Sequence, residues 1–517
     1  ERDKMVHSMY LNDMGHAPAD WEPELQPGEK VQRRCMGILT DAEWDGMLRI
    51  RRDKDGNVIP GSSVQTKASG PSGFQTKVIR ILPEPHQRML RHIIDLSLLQ
   101  CIPPTALMQS LVTFIPKPGK GLGILEQRPL QLVELILREV DSIIMARIAR
   151  GMRLKSLLPV CSYGSYPGRS TSQIIAAVTS AMAAAKATAS PQVILCLDLL
   201  KAYETCGFFS IELGLRYVAV PERLIAYIRA FAQRMRVSLH TKDGFTDPRH
   251  PTRSIPQGDA LSCLIYPCVT APLLQWLHTQ KEQHFTVDDM TKQVPHSLAG
   301  VAYVDDVLVA SGSWTDGAEK QWRAVEVFLG AIRAPISETK TTAFAVNSPR
   351  GLPGGPHKFG AYDIYEHRIV DAEIEFVPPE KHFKLLGVHV NYHGDKTVGQ
   401  GKLLRAMMLA IDVANRRCYS AEAFRVYYNQ CVLTIALYAP IWRTLSPAGT
   451  AQVDGRAARV MANKMRLPAS ASRCPAFVPC ALAGWGLRSV KTEAMAATSR
   501  ELQVVLNGTG PEAGMTA

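Results

Sequence analysis

The residues best placed to do chemistry sit in the run Val301-Ala302-Tyr303-Val304-Asp305-Asp306-Val307-Leu308-Val309-Ala310, where two carboxylates interrupt a string of β-formers. The pattern predicts strand, tight turn, strand, with both acids at the turn. A surface turn bearing two solvated carboxylates has the same local signature. Apolar residues on both sides, however, predict strands buried in a sheet, where like charges repel and lose hydration unless cations neutralise them. A second apolar run, Val193 to Leu197, leads directly into Asp198. If the chain brings the three acids together, they form a set of hard oxygen donors suited to Mg²⁺. Two such ions about 3.5–4 Å apart activate an attacking hydroxyl and stabilise a leaving group in an in-line displacement.

The elements that must hold these acids follow from periodicity. Strands are expected at 193–199, 301–303 and 307–310, and helices at 85–101, 130–150, 172–186, 209–233, 260–277 and 318–333. This alternation predicts a mixed α/β or α+β lobe. After 390 the pattern is helical, with candidates at 400–417, 420–438 and 447–465. Residues 1–75 are broken by "PGEK", "DKDGNVIPGSS" and "KASGPSG", which predicts a loop-rich or partly disordered leader. The expected division is a leader over 1–84, a main lobe over 85–390 and a helical region over 391–517.

The 517-residue chain is longer than one ordinary core usually serves, in keeping with more than one lobe. Its net charge of +12 favours polyanionic partners, although a modest excess spread over a large surface is also common. Eleven cysteines form no CxxC pair, and several lie in apolar runs, so free thiols are expected rather than disulfides or a zinc site. The apolar stretch Val426 to Trp442 contains Asn429 and Gln430 and is too short for a bilayer span. Since the first residue is Glu1, a fragment or processed product is expected.

Several motifs, taken in order from about residue 85 to 490, resemble the reverse transcriptase family, in particular its non-LTR (LINE-type) members. "FIPKPGKG" at 114–121 and "QRPLQL" at 127–132 are similar to the first fingers motifs. The resemblance implies that Lys117 and Arg128 meet the phosphates of an incoming nucleotide. "YGSYPGRSTSQII" at 163–175 looks like a template- or primer-contacting loop and helix, which implicates Arg169. "LDLLKAYETC" resembles "LDxxKAFD", making Asp198 the first metal ligand and Tyr203 the steric gate against a 2′-hydroxyl. "SIPQGDALSCLIYP" at 254–267 is similar to "VRQGDPLSPLLF", so Gln257 and Gly258 would lie against the template base and incoming nucleotide. Asp259 is expected to cap a helix starting near Ala260. "ISETKTTAF" at 336–344 makes Lys340 a candidate general acid for pyrophosphate. "FKLLGV" at 383–388 resembles "YKYLGV", a hairpin gripping the primer, with Leu386 and Gly387 at its turn. Tyr303, at the head of the acidic hairpin, joins the substrate-binding set.

By resemblance the fold is α+β, a right-hand polymerase with fingers and palm, an antiparallel palm sheet carrying Asp198, Asp305 and Asp306, and a helical thumb-like lobe behind. The implied activity is RNA-directed DNA polymerisation with two Mg²⁺ ions, Mn²⁺ being a possible substitute. The partners are an RNA template, a DNA primer and deoxynucleoside triphosphates, without a membrane; a nuclear location follows if the element is a eukaryotic retrotransposon. Val304 stands where many non-LTR enzymes have Ala and RNA replicases typically have Gly, and Pro256, Ala260 and Cys263 depart from common residues of their motif. No endonuclease, RNase H carboxylate set or CCHC knuckle is recognisable, so a nicking activity is expected elsewhere in a longer polyprotein. A group II intron maturase-like RNA-binding protein and a non-catalytic polymerase-like scaffold share much of this pattern.

Overall fold

The computed structural model describes residues 36–48, 69–117, 126–151, 158–159, 161–164, 169–288, 295–347, 355–418 and 420–506, with 121, 123, 349 and 352 in addition. In chain order the first half contains α1 (Asp41–Met47), α2 (Thr76–Ile81), α3 (Glu84–Gln100), β1 (Gln109–Ile115), β2 (Arg128–Val133), α4 (Leu135–Gly151), α5 (Thr171–Thr188), β3 (Gln192–Leu197), α6 (Ala202–Thr205), α7 (Phe208–Tyr217) and α8 (Glu222–Arg234). The chain continues through β4 (Arg236–Thr241), β5 (Gly244–Phe245), α9 (Ser262–Thr279), β6 (Phe285–Asp288), β7 (Pro295–Leu298), β8 (Gly300–Tyr303), β9 (Asp306–Ser311), α10 (Glu319–Ile332) and β10 (Thr342–Val346). Strands β11 (His357–Asp363), β12 (Arg368–Ile374), β13 (Phe376–Val377), β14 (Phe383–Leu385) and β15 (Val388–Val390) follow. Last come the helices α11 (Thr397–Arg417), α12 (Ala421–Tyr427), α13 (Leu433–Leu437), α14 (Pro447–Lys464) and α15 (Val490–Leu506).

A five-stranded sheet in the order β13-β10-β3-β9-β8 forms the centre. Its inner strands are apolar at nearly every position because both faces are covered: Val193, Ile194, Leu195, Val307, Leu308, Val309 and Ala310 are all buried in one large core. Helices α5 and α9 pack against β8. A second sheet, β2-β1-β4-β5, pairs β1 antiparallel with β2 and parallel with β4.

The C-terminal helices build a separate core around Leu403, Met407, Phe424, Tyr428, Val453 and Met461. Within it a π-turn at Tyr428–Val432 joins α12 to α13 inside the span expected as one helix. Glu501 of α15 ties this region back to the central one, accepting from the Ile441 amide at 3.1 Å and from the Ser172 hydroxyl.

Three departures from the expected elements have local causes. The helix expected over 130–150 begins at Leu135, because residues 128–133 pair backbone to backbone with β1 from Ser110↔Val133 to Ile115↔Arg128. Leu130, Val133 and Leu137 satisfy a helical period, but the first two belong to a strand whose amides have partners across the sheet. The helix expected over 209–233 is two helices. Ala219 is left-handed at φ 54° and Pro221 sits at the head of α8. Within the expected leader, residues 36–48 fold onto the main core through Met36, Leu39, Trp44 and Met47. The α1 start is a reciprocal cap between Thr40 and Glu43, and Glu43 also pairs with Arg147 of α4 at 2.7 Å. Residues 1–35 and 49–68 lie outside the described residues.

Among the described residues ten cysteines are free thiols; Cys101, Cys161, Cys206 and Cys268 are buried, whereas Cys263, Cys431, Cys474 and Cys480 are exposed. No described helix is long and apolar enough to cross a membrane.

Candidate active site

Strand register brings the acidic residues to one end of the central sheet. Strands β3 and β9 pair antiparallel through Leu197↔Val307, so the next residues outward, Asp198 and Asp306, stand opposite each other. On the other side of β3, Thr342↔Cys196 runs outward to Lys340 opposite Asp198, and the Lys340 ammonium donates to Asp198 Oδ1 at 2.8 Å. The backbone is fixed too: the Ser337 amide donates to the Asp198 carbonyl at 2.8 Å. Asp198 thus has a carboxylate across one neighbouring strand and an ammonium across the other.

Asp305 lies in the two-residue turn between β8 and β9, which Tyr303↔Asp306 closes. Val304 takes φ 60° there, a conformation costly for a β-branched side chain. The turn is held from outside. Residues 161–163 run beside β8, with the Tyr163 amide donating to the Ala302 carbonyl at 2.8 Å and the Ala302 amide to the Cys161 carbonyl at 3.0 Å. Gly164 then passes so close that an added Cβ would lie 2.5 Å from Val304 Cγ2 and 2.6 Å from its amide nitrogen.

The electrostatics follow from this crowding. Burial and the Asp305 and Asp198 charges push the Asp306 carboxyl up to about 7, against the opposing pull of Lys384 and Lys340. Asp306 keeps an exposed edge, so water tempers that repulsion. Asp305 is raised chiefly by burial and further by Asp198, while Lys340 and Arg128 oppose the shift. Three carboxyl groups are thus crowded at the end of the sheet beside Lys340, Lys384 and Arg128, with Asp305 and Asp306 raised first by burial and then by their acidic neighbours.

Two recesses flank the turn. One, of about 490 Å³, is lined by Arg128, Arg138, Tyr203, Gln257, Gly258 and Asp305, among others. The other is smaller and is lined by Asp198, Asp306, Lys340, Lys384 and Leu386, among others. Tyr203 stacks on the buried Tyr266 with ring centroids 5.3 Å apart, and its phenol is held protonated first by burial and then by neighbouring Cys263 and Asp305. The Gln257 carbonyl accepts from the Gln131 amide at 3.0 Å, fastening the loop to β2. Gly258, at φ 117°, would bring a Cβ to 3.2 Å from the Gln131 carbonyl oxygen. The α9 helix starts at Ser262, two residues later than expected, and Asp259 Oδ2 accepts from the Leu261 amide at 3.0 Å ahead of it.

The "FKLLGV" segment forms the β14–β15 hairpin, with Leu386 (φ 46°) and Gly387 (φ 84°) as its two turn residues. Two successive positive φ values are the mark of a tight hairpin whose twist matches its strands. The Tyr438 hydroxyl donates to the Leu386 carbonyl at 2.5 Å, joining this turn to the C-terminal helices.

The other expected site residues are placed differently. Arg169 turns inward, donating to the Ser162 carbonyl at 2.8 Å and lying over the buried Tyr163 ring at 4.9 Å, where it braces the segment beside β8. Lys117 is exposed, at the border of 118–120, which lie outside the described residues together with Lys120. Tyr303 is half-buried at the end of β8. Sequence reasoning missed Arg138, Ser142 and Lys384. Arg138 and Ser142 are four residues apart on α4 and so share a face, a polar pair that its expected apolar face gave no reason to single out. Lys384 lay inside a quoted motif without a role.

The donor set fits divalent cations chemically: Asp198, Asp305 and Asp306 supply hard carboxylate oxygens, and burial disfavours charge on Asp305 and Asp306 unless a cation meets it. The shell is not closed. Among the described residues no three His, Cys, Asp or Glu side chains converge to metal-binding distance. Asp305 opens into the larger recess, whereas Asp198, engaged by Lys340, and Asp306 open into the smaller one. Lys340 engages one oxygen of Asp198, Oδ1, in this arrangement.

The family model described as reverse transcriptase (RNA-dependent DNA polymerase) matches residues 115–390, just over half of the chain. A search of curated proteins returns no match.

Proposed function

The chain belongs to the reverse transcriptase family, whose members are RNA-dependent DNA polymerases and so nucleotidyltransferases; from this we propose that it is the polymerase of a non-LTR (LINE-type) element, extending a DNA primer on an RNA template. Mixed α+β content with mainly antiparallel sheets, the edge pair β10–β13 of the central one being parallel, fits a polymerase palm. In this reading 85–390 form fingers and palm, 391–517 a thumb-like region, and 1–84 a leader. The observation that carries the reading is the register placing Asp198 between Asp306 and Lys340, with Asp305 opening from the adjacent turn into a recess walled by Arg128, Tyr203 and Gln257.

Asp198, Asp305 and Asp306 would hold Mg²⁺, with Mn²⁺ as a substitute. The chemistry such ions supply is activation of a primer 3′-hydroxyl and neutralisation of charge on the departing pyrophosphate. The protein's own groups do the rest. Arg128 and Lys117 would counter the triphosphate charge. Tyr203, backed by Tyr266, occupies the space a 2′-hydroxyl would need. Gln257 and Gly258 let backbone approach the nucleotide and template base. Lys340, once released from Asp198, can deliver a proton to the leaving pyrophosphate. The Leu386–Gly387 turn lies next to the smaller recess, in a position to steady the primer end, and Arg169 would serve the template or primer side while bracing the segment 161–163 beside β8.

The test is incorporation of dTTP by the purified full chain on poly(rA) primed with oligo(dT) in Mg²⁺, lost in Asp305→Ala with folding unchanged. Absence of incorporation by the wild-type chain across Mg²⁺, Mn²⁺ and several primer–templates would sink the catalytic reading in favour of a polymerase-like scaffold.

A further inference from the structure

A second pair of carboxyl groups lies behind the larger recess. Asp141 of α4 is fully buried and Asp259, in the loop leading to α9, is 5 % exposed. Each has one oxygen with a donor. Tyr227 of α8 donates its hydroxyl to Asp141 Oδ1 at 3.1 Å, and the Leu261 amide donates to Asp259 Oδ2 at 3.0 Å. The remaining oxygens, Asp141 Oδ2 and Asp259 Oδ1, are buried and without a donor. Two unsatisfied acceptors on neighbouring carboxyl groups are costly in a dry interior, and a single proton between them satisfies both.

We infer that Asp141 and Asp259 share one proton and that this clasp is a positioning device, fastening the Gln257–Gly258 loop to α4 so that the loop meets the incoming nucleotide. The assignment within the pair follows from the neighbours. Burial raises both carboxyl groups, but the Leu261, Ala260 and Ser262 amides oppose that rise at Asp259 alone, so Asp259 is the carboxylate and Asp141 the acid, donating from Oδ2 to Asp259 Oδ1 while its carbonyl oxygen receives the Tyr227 hydroxyl. Burial, followed by the charge of Asp259, raises the Asp141 carboxyl, in the same direction. The groups facing the pair are Tyr227 from α8, Gln131 from β2, and Arg138 and Ser142, which line the recess with Asp259.

The clasp acts through its neighbours in sequence. Asp259 directly follows Gly258, and the Gln257 carbonyl is bonded to β2, immediately before the helix that carries Asp141. Loss of the proton leaves two facing anions, which push α4 and the loop apart. The nucleotide KM should therefore rise in alkali while the turnover number changes less.

The nucleotide part of this inference rests on the proposed polymerase reading, so the test has one arm that needs no turnover. Infrared spectra of the resting full chain, without nucleotide, should show a buried carboxylic-acid carbonyl band that shifts in D₂O and disappears in Asp141→Asn. In the kinetic arm Asp141→Asn, whose amide donates to Asp259 permanently, should keep the dTTP KM within about threefold of wild type and flatten its alkaline rise. Asp141→Leu, which has no donor, should raise KM about tenfold or more with a smaller change in kcat. Lack of the acid band refutes the shared proton whether or not the chain polymerises. If the band is present but Asp141→Asn follows the wild-type pH profile, the positioning role is refuted. Should Asp141→Leu fail to fold, the band and the Asp141→Asn profile decide.

Discussion

Replacing Gly164 by Ala perturbs the acidic turn without touching a charge. A Cβ on Gly164 would stand 2.5 Å from Val304 Cγ2 and 2.6 Å from the Val304 amide nitrogen, where ordinary contact begins at 3.4 Å. One of the two backbones must retreat by roughly 0.8 Å. Residues 161–163 are bonded to β8 on both sides of Ala302 and are braced by Arg169, so the give falls on the Val304–Asp305 turn, whose first residue already sits at positive φ. A displacement of about 1 Å at a reacting group costs on the order of 10²-fold in rate. Primer extension by Gly164→Ala should fall by about that factor in kcat, with the melting temperature lowered by only a few degrees. Adding Val304→Ala removes the Cγ2 contact and leaves the one to the amide nitrogen, so the double variant should recover part of the loss and not all of it. Extension by Gly164→Ala within about threefold of wild type would refute the argument that the turn is held from this side. Full recovery in the double variant would place the strain in the side chain alone.

Two further outcomes follow from buried contacts. Arg147 and the Thr40 backbone hold the Glu43 carboxyl down to about 2, so this pair stabilises the fold fully above pH ~4.5 and is lost as pH falls toward 2. The shift corresponds to at most about 3 kcal/mol, and allowing for water at the edge of the pair we expect Glu43→Gln to cost about 1–2 kcal/mol at pH 7, a deficit in urea unfolding that falls to about half or less at pH 3 and closes only below pH ~2. An equal deficit at both pH values would disprove the ion pair as its source. Tyr203→Val should lower discrimination against ribonucleotides by about tenfold or more in single-nucleotide extension, because the ring that fills the sugar's 2′ side is removed. Unchanged discrimination with normal dTTP use would show that the ring is a core residue stacked on Tyr266 and nothing more.

The acidic hairpin was legible in the sequence because its signal is local. Two acids between β-formers demand a turn, and the strands beside them are apolar enough to be buried whatever surrounds them. The association of Asp198 with Asp305 and Asp306 was a conditional expectation, since it depends on β3 pairing with β9 across more than a hundred residues, and no local pattern states that register. Lys340 shows the same limit. Its motif marked it, but its ion pair with Asp198 comes from the pairing of β10 with the opposite edge of β3. The helix misread over 130–134 fails for a related reason: Leu130 and Val133 fit a helical period equally well, and the competing strand is decided by β1, a distant partner. Arg169 is the most instructive case. Its motif implied a template or primer contact, and the fold adds a contact the sequence did not state, the guanidinium being bonded to the Ser162 carbonyl and lying over Tyr163. Its residue type gave the charge, while the Ser162 carbonyl and the Tyr163 ring beside it are brought within reach only by the folded chain. The same reasoning separates the two buried acids Asp141 and Asp259 from the three at the sheet's end. Both groups are carboxyl groups crowded together, but one has backbone amides, a phenol and no lysine, the setting inferred to keep a shared proton, and the other lies beside Lys340 and Lys384, the setting proposed to take divalent cations.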